Sequence, residues 1–412
     1  MTHQAKGGAR VLVFLLALAI FIHALDRGNF PTAAPLINDS LALDNTHMGW
    51  LLSAFFLTYV PGHVLAGWLV ERLNAYRTLS LGLAAWSLAT LLMGLAGSFG
   101  AMLALRLLLG IGESAGFPAA SKLLAQTLPH EKLGTANGLI GAGLMLGNGI
   151  GVLLGGMLIA RFGWHMLFFV FGGLSLLWLV PWLTLISGPK DQGAAAATVD
   201  HAAPSYREML SRRETWGAML GMFTSNYPYF IVLSWLPLYL VKQQGYSLTT
   251  MAWLGGTVYL LGALVNLIGG PYIDRLIANG GDAAKLRKRV ILASSSIAVA
   301  CMGACATGKP AFAVAGLLGY SLSIGLGPIG TFTAGQTLGG PRAAGKWIGL
   351  QNGAGGLSGV IGPALTGVLI DATGDYRVAF LFATLIAASG LYFWGVMIPK
   401  VEPLEWSPAK PR

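Results

Sequence analysis

Residues Arg106 to Pro118 read RLLLGIGESAGFP, and they place a guanidinium and a carboxylate inside a long apolar segment. Arg106 and Glu113 are about two helical turns apart, so a helix would project both side chains from the same face. A charged side chain at the centre of a lipid bilayer costs about 2.5–3.5 kcal/mol on insertion scales. If this segment crosses a membrane, we expect its two charges to be retained for a function.

The composition of the whole chain indicates a polytopic membrane protein. Of its 412 residues, 55% are hydrophobic and only 10% are charged, whereas soluble domains carry about 25% charged residues. Apolar runs of about 20 residues recur along the chain, which fits membrane-spanning helices and excludes the alternating strands of a barrel. We therefore predict an all-α membrane protein with twelve transmembrane helices in two six-helix bundles. The predicted spans are 10–36, 46–70, 76–97, 99–127, 133–160, 164–187, 214–241, 249–278, 288–308, 310–335, 345–371 and 376–398.

The two halves of the chain repeat each other. The tripeptide Gln-Thr-Leu at 126–128 recurs 210 residues later, and a parallel repeat is typical of transporters that bind substrate between two halves and work by alternating access. At this offset Arg106 and Glu113 correspond to Gly316 and Ser323, so the two charges belong to the N-terminal half alone. The predicted units are an N-terminal bundle over 1–187, a linker over 188–213, a C-terminal bundle over 214–398 and a tail over 399–412.

Charges in the predicted loops indicate the orientation in the membrane. With the N-terminus inside, only Arg161, Lys242, Lys309 and Arg377 fall outside, and the other loop cations lie on the cytoplasmic side. This bias predicts a multi-pass protein of the cell (inner) membrane with both termini cytoplasmic. The net charge of +10 therefore comes from loops next to the membrane and does not indicate binding of nucleic acid. The expected partner of the chain is the lipid bilayer.

Two short motifs match enzyme signatures in the wrong setting. The G-x-S-x-G match at 112–116 would need a strand–turn–helix elbow with a histidine partner, and we expect it to lie in the middle of a helix. The G-x-G-x-x-G match at 325–330 follows no predicted strand. Because no P-loop or metal-ligand spacing is found either, we expect no enzyme activity, no bound metal and no cofactor beyond a coupling proton.

Four groups of residues in the spans form a characteristic set. They are Leu25-Asp26-Arg27 with Asn29 in the first span, GWLLSAFFLTY at 49–59 in the second, Arg106 with Gly112-Glu113 and Phe117-Pro118 in the fourth, and Trp235-Leu236-Pro237-x-Tyr239-Leu240 in the seventh. Over essentially its full length the chain resembles the major facilitator superfamily, and this set resembles the anion:cation symporter family of bacterial sugar-acid and sialin-like carriers. The resemblance implies a monomer that carries a small organic anion. Ala24 stands where many members of that family have a tyrosine.

Arg27 is the predicted substrate ligand, with Arg106 as a second one. A buried guanidinium stays protonated and can bind a carboxylate through two parallel hydrogen bonds. The alternative is an ion pair with Asp26 or Glu113, although adjacent residues on a helix do not face each other. We predict Asp26 and Glu113 as the proton-coupling residues, whose protonation frees the two arginines for an anion. The alternative for this group is a static salt-bridge network that locks the N-terminal half.

Neutral polar residues are the predicted contacts for substrate hydroxyl groups. The resemblance implies this role for Tyr59 in the second span, where an interhelical hydrogen bond is the alternative. It implies the same role for Asn352 in the eleventh span, and Gln351 and Asn226 are further candidates because amides are directional donors and acceptors.

Two further sets complete the predictions for individual residues. His23 and His63 have side chains that titrate near neutral pH, although a single histidine in a helix bundle is more often a packing residue. The loop between the second and third spans and its counterpart in the other half carry acid–arginine pairs that resemble a loop motif of the superfamily. We predict that they form a cytoplasmic latch made of Glu71, Arg72, Asp274 and Arg275.

Together these features predict a secondary active transporter. The favoured function is proton-coupled symport of a small organic anion, such as a hexuronate, aldonate or aldarate. One alternative is a proton-coupled antiporter that exports drugs or cationic metabolites, which the two intramembrane arginines disfavour. Another is a membrane enzyme or receptor, which would be expected to carry an appended soluble domain or a catalytic pair.

Overall fold

The computed structural model describes residues 3–72, 74–128, 130–186 and 204–406. Most of the predicted linker and the last six residues of the tail lie outside this range, and so do the side chains of Glu71 and Arg72. Within the described residues the chain is helical with no strand, as predicted. The helices are α1 His3–Ser40, α2 Asn45–Arg72, α3 Ala75–Met93, α4 Phe99–Glu113, α5 Gly116–Thr127, α6 His130–Phe162, α7 Trp164–Leu185, α8 Tyr206–Leu210, α9 Arg213–Leu238, α10 Leu248–Ala278, α11 Ala283–Ala306, α12 Pro310–Thr373 and α13 Tyr376–Tyr392. Single π-helical turns, Tyr239–Gln243 and Phe393–Met397, extend α9 and α13.

All twelve predicted spans correspond to helices. In the described part of the chain, nine of them contain an apolar stretch long enough to cross a membrane by length and composition. The exception to a continuous helix is the fourth span, because α4 ends at Glu113 and α5 begins at Gly116. Pro118 has no N–H to donate to the carbonyl four residues earlier, that of Ser114, so the helix is interrupted there. Ser114 and Ala115 keep right-handed helical φ and ψ at this interruption. The G-x-S-x-G match thus lies inside one apolar helical stretch, Phe99–Leu124, although the helical hydrogen bonding is broken at Ser114.

The tenth and eleventh spans are joined within α12. One residue between them is not helical: Gly340, with φ 60° and ψ −176°. This conformation is open to glycine and strained for a residue with a side chain. The two predicted helices therefore follow each other with a sharp change of direction in place of a long loop.

Residues 399–406 of the predicted tail pack against this junction. The backbone N–H of Leu404 donates to the carbonyl of Leu338, and Nε1 of Trp406 donates to the carbonyl of Gly339 over 3.0 Å. These carbonyls end the first part of α12, where no further helical turn is available to bind them. Trp406 and Val401 are buried in the same apolar cluster, so this part of the tail is ordered by packing.

The chain forms two compact units, Met1–Ala196 with Ser234–Thr257, and Ala197–Leu233 with Val258–Arg412. In the first unit, α1 and α6 approach each other closely because α6 presents glycines. A Cβ on Gly147 would collide with the carbonyl oxygen of Phe21, and a Cβ on Gly151 would lie 3.0 Å from Cα of Leu25. Small residues thus bring the two backbones together, as in other membrane helix pairs. The part of α1 held in this way carries Asp26 and Arg27.

Candidate functional site

Arg27 lies against an aromatic wall made by α2. Its Nη2 atom donates to Nε2 of His23, one turn earlier on α1, over 2.8 Å. Its Cζ atom is 4.7 Å from the ring centroid of Tyr59 and 5.4 Å from that of Phe55. These are cation–π distances, worth about 2 kcal/mol when the pair is desolvated. Arg27 is only half-buried, unlike His23, Asp26, Arg106 and Glu113, which are buried, so this side chain is held in place and still partly accessible.

His23 links Arg27 to the carboxyl group of Glu113. The imidazole is fully buried, and its Nδ1 atom lies 3.1 Å from Oε2 of Glu113, which is fully buried as well. The rings of Trp86 and Phe117 meet the imidazole edge-on, with centroids 6.1 and 5.6 Å away. Three ionisable groups from α1 and α4 thus form a row, Glu113–His23–Arg27, inside one unit.

Asp26 has different partners from its neighbour Arg27. Its Oδ1 accepts a hydrogen bond of 2.9 Å from Asn29, and its Oδ2 accepts one of the same length from the hydroxyl of Ser175 on α7. Asp26 is 2% exposed. Successive residues on a helix project about 100° apart, so the two side chains of this pair reach different neighbours. The carboxyl of Asp26 is therefore held by neutral donors between α1 and α7.

Arg106 connects α4 to the backbone of α2. Its Nε donates to the carbonyl of Leu51 over 3.0 Å, and its Nη2 donates to the carbonyl of Leu52 over 3.1 Å. The guanidinium also lies 4.6 Å from the ring centroid of Phe30 on α1. Arg106 is 2% exposed, so in this structure it acts as a crosslink between helices, and a substrate contact through it stays a prediction.

Tyr59 contacts two of the three members of the row, His23 and Arg27. Its hydroxyl lies 3.4 Å from Nε2 of His23, and its ring stacks on Phe55 at 4.9 Å. The ring also meets His63 edge-on at 4.4 Å. A substrate contact through this hydroxyl stays a prediction, and in this structure the group belongs to the same cluster as Arg27.

The candidate residues of the second unit lie along the contact between α9 and α12. Gln351 is fully buried, and its amide donates to the carbonyl of Thr331 over 3.1 Å. Asn226 packs closely against Gly355, where a Cβ would lie 2.7 Å from the amide nitrogen. Asn352 is exposed, next to Gln351 in the chain. The substrate roles assigned to these three amides stay predictions.

The predicted latch lies only partly within the described side chains. Asp274 and Arg275 are exposed near the end of α10, whereas the side chains of Glu71 and Arg72 lie outside the described residues, so the latch stays a prediction. Among the residues with described side chains, no group of three or more His, Cys, Asp and Glu side chains is arranged to hold a metal ion.

The sequence gives no signal for one contributor to this site, Ser175, and an indirect signal for another, His23. Ser175 is 149 residues away from the Asp26 that it binds, and a serine in an apolar helix gives no signal of such a contact. For His23 the sequence favours a packing residue over a titrating one, but its spacing of four residues from Arg27 places both side chains on one helix face. That spacing was a usable signal.

Long apolar helices in two units, with buried charges inside the apolar segments, are the features of a polytopic membrane protein. The family model of the Major Facilitator Superfamily matches residues 16–345. The chain belongs to this superfamily.

Several curated relatives are similar over nearly the full chain. The probable galactarate/D-glucarate transporter GudP of Bacillus subtilis (strain 168) is 28% identical over 421 aligned residues, covering 95% of this chain and 92% of the relative. The probable sulfoacetate transporter SauU of Cupriavidus necator is 27% identical, with 92% and 91% covered. The chloroplastic ascorbate transporter of Arabidopsis thaliana is 27% identical, with 94% and 74% covered.

Solved structures show the same fold. A bacterial homolog of the human lysosomal transporter Spinster matches with a TM-score of 0.80 at 18% identity, covering 96% of this chain and 98% of that one. The nucleoside transporter NupG matches with a TM-score of 0.75 at 14% identity, covering 94% and 100%. At these identities the likeness concerns the fold alone.

Proposed function

We propose that the chain is a proton-driven symporter of a small organic anion that works by alternating access. The observation that carries this proposal is the half-buried guanidinium of Arg27, which lies in one row with a buried histidine and a buried carboxyl. A guanidinium presents five N–H donors in a planar fork that matches a carboxylate. Arg27 donates through Nη2 to His23, and its planar fork suits the carboxylate of an anion.

The relatives and the site support a proposal for the kind of anion. Those named above carry galactarate or glucarate, sulfoacetate and ascorbate by their names, and all of these are anions. A cation would meet two arginines, Arg27 and Arg106, in the same unit. We therefore propose sugar acids, namely hexuronates, aldonates and aldarates, as the substrate class.

Coupling to protons is proposed from the two buried carboxyls. Asp26 is 2% and Glu113 is 0% exposed, and a carboxyl kept away from water exchanges its proton only when its surroundings change. Glu113 lies in the row with His23 and Arg27, whereas Asp26 binds neutral donors on another side of α1. The two carboxyls are thus in a position to load and release protons as the anion enters and leaves the neighbouring arginine.

Uptake into proteoliposomes tests this proposal. Purified full-length protein is reconstituted, and radiolabelled D-glucarate, D-glucuronate and D-galactonate are offered with and without a pH gradient that is alkaline inside. We expect accumulation that depends on the gradient and is lost in Asp26→Asn or Glu113→Gln, while Asp44→Asn, at an exposed carboxylate, behaves as wild type.

Two results would contradict the proposal. Proton dependence equal to that of wild type in both Asp26→Asn and Glu113→Gln would remove the coupling role of these carboxyls. Transport of a cationic dye together with no uptake of any of the three anions would favour the exporter instead.

A further inference from the structure

The bond between Arg27 and His23 determines which nitrogen of the imidazole carries the proton. A guanidinium is only a donor, so Nε2 of His23, at 2.8 Å from Nη2, must be the acceptor. The imidazole is then neutral, with its proton on Nδ1. That nitrogen lies 3.1 Å from Oε2 of Glu113.

Glu113 is placed to receive this Nδ1–H. In the described part of the chain neither His23 Nδ1 nor the two carboxyl oxygens of Glu113 have a hydrogen-bond partner by strict geometry. All three atoms are buried, and a buried polar atom without a partner is costly. Because 3.1 Å is already a hydrogen-bond distance, a small tilt of the ring satisfies both residues.

From this geometry we infer that His23 is a proton-operated switch that holds or releases the anion ligand Arg27. The lone pair on Nε2 can accept a hydrogen bond from Arg27 or bind a proton, but it cannot do both. When a proton from solution binds to Nε2, the guanidinium keeps its own protons and loses this acceptor, so that its Nη2 donor can turn to the carboxylate of an anion. The inference rests on the proposed function for the identity of that anion, and it assigns His23 a positioning role that acts through Arg27.

The other groups around the imidazole support both states of this switch. Glu113 on α4, with Oε2 3.1 Å from Nδ1, is placed to accept the Nδ1–H both before and after this proton binds. The hydroxyl of Tyr59 on α2, 3.4 Å from Nε2, accepts the new Nε2–H once Arg27 no longer donates there. His63 lies one turn further along α2, beside the ring of Tyr59. The remaining neighbours, on α3 and α5, are the uncharged rings of Trp86 and Phe117.

The pH dependence of anion binding tests the switch. By linkage, each proton taken up together with the anion contributes about one decade of affinity per pH unit. Binding of D-glucarate to the full chain in lipid nanodiscs is measured between pH 5.5 and 8.5. We expect affinity to rise as pH falls, and the slope of log affinity against pH to decrease by about one in His23→Gln, which keeps an acceptor for Arg27 but cannot bind a proton.

Two variants separate this role from a structural one. His23→Asn is too short to reach Arg27, so its affinity at pH 8.5 should exceed that of His23→Gln, and its slope should decrease as well. His63→Gln, on the neighbouring helix, should keep the wild-type slope. A wild-type slope in His23→Gln, or a loss of slope in His63→Gln alone, would overturn the inference, because a purely structural change at His23 shifts affinity equally at every pH.

A measurement without any anion keeps the switch testable if the proposed function fails. Histidine ¹⁵N NMR of the full chain, with the His23 signal assigned through its loss in His23→Gln, reports the tautomer directly. We expect the Nδ1–H form in wild type and the appearance of the Nε2–H form in Arg27→Gln. An Nε2–H tautomer in wild type would overturn the switch, whereas failure of every sugar acid to bind would overturn the proposed substrate and leave the tautomer result standing.

Discussion

Replacing Arg27 by lysine is the perturbation that most directly tests the anion site. A lysine at this position keeps the positive charge and can keep one hydrogen bond to His23, whose Nε2 lies 2.8 Å from the guanidinium. It loses the planar fork, because an ammonium is a single point of donation. The substitution therefore removes one of the two parallel hydrogen bonds that a carboxylate would receive.

The size of the effect follows from that single lost bond. A hydrogen bond to a charged group contributes about 1.5–3 kcal/mol. Because 1.4 kcal/mol corresponds to a factor of ten, Kd for the anion should rise about 10- to 140-fold. The cation–π contacts with Tyr59 and Phe55 are kept in kind, since an ammonium also interacts with an aromatic face.

Arg106→Lys is the matched control, since it makes the same chemical change in the same unit. The guanidinium of Arg106 donates to the carbonyls of Leu51 and Leu52. Losing one of these hydrogen bonds in Arg106→Lys should lower the stability of the protein by about 1.5–3 kcal/mol. Calorimetric titration with D-glucarate in nanodiscs gives Kd for both variants, and thermal melts give their stability. We expect a weakened Kd in Arg27→Lys and a lowered Tm with little change in Kd in Arg106→Lys.

Two outcomes would refute this reasoning. An unchanged Kd in Arg27→Lys would mean that the guanidinium fork does not bind the carboxylate. Equal weakening in both variants would mean that Arg106 leaves the α2 carbonyls to bind substrate, as the sequence-based prediction for Arg106 has it.

Three further predictions concern the scaffold. Gly147→Ala should lower Tm and uptake, because its Cβ would collide with the α1 backbone and overpacking costs about 1–3 kcal/mol. Gly141→Ala on the same helix is the control, since a Cβ there meets nothing within 4 Å, and it should change neither quantity. Equal effects of the two substitutions would contradict this prediction. The backbone N–H of Arg377 holds the pKa of Asp375, which caps α13, below its usual range, so the cap's contribution is full above about pH 4 and is lost as pH falls through the lowered value. In thermal melts, Asp375→Asn should not show this loss of stability at acidic pH. A dependence of Tm on pH equal to that of wild type in Asp375→Asn would contradict the role of the Asp375 cap. Trp406→Phe removes the donor to a carbonyl in α12 and should lower stability by about 1 kcal/mol without changing anion affinity; an unchanged Tm would show that the bond contributes nothing.

Much of the fold could be predicted because apolar length is a local property. A run of about 20 apolar residues must cover its backbone polar groups in a helix wherever lipid surrounds it. The break at Ser114 was missed although its cause, Pro118, was in view, because one proline in the first turn of a helix is compatible with either a kink or an interruption. The junction at Gly340 depends on one backbone conformation that the residue type permits but does not require.

For the site, the list of residues was more predictable than their contacts. Arg27, Asp26 and Glu113 stand out because charges inside apolar spans are expensive and are rarely kept without a use. The hydroxyl that binds Asp26 comes from Ser175 on α7, and the acceptors for Arg106 are backbone carbonyls of α2. Carbonyls have no residue-type signature, so no pattern in the sequence could have indicated them.

The sequence by itself determined that this chain spans a membrane and which side chains carry charge inside it, because both depend on composition along a single segment. Only the tertiary structure decided that Arg106 holds two helices together, that Arg27 lies half-buried on an aromatic wall, and that His23 stands between Arg27 and Glu113. The physical reason is that the cost of burying a charge is set locally, whereas its compensation depends on atoms that helix packing brings within about 3 Å. The glycines of α6 contribute to this packing, because they let that helix approach the part of α1 that carries Asp26 and Arg27.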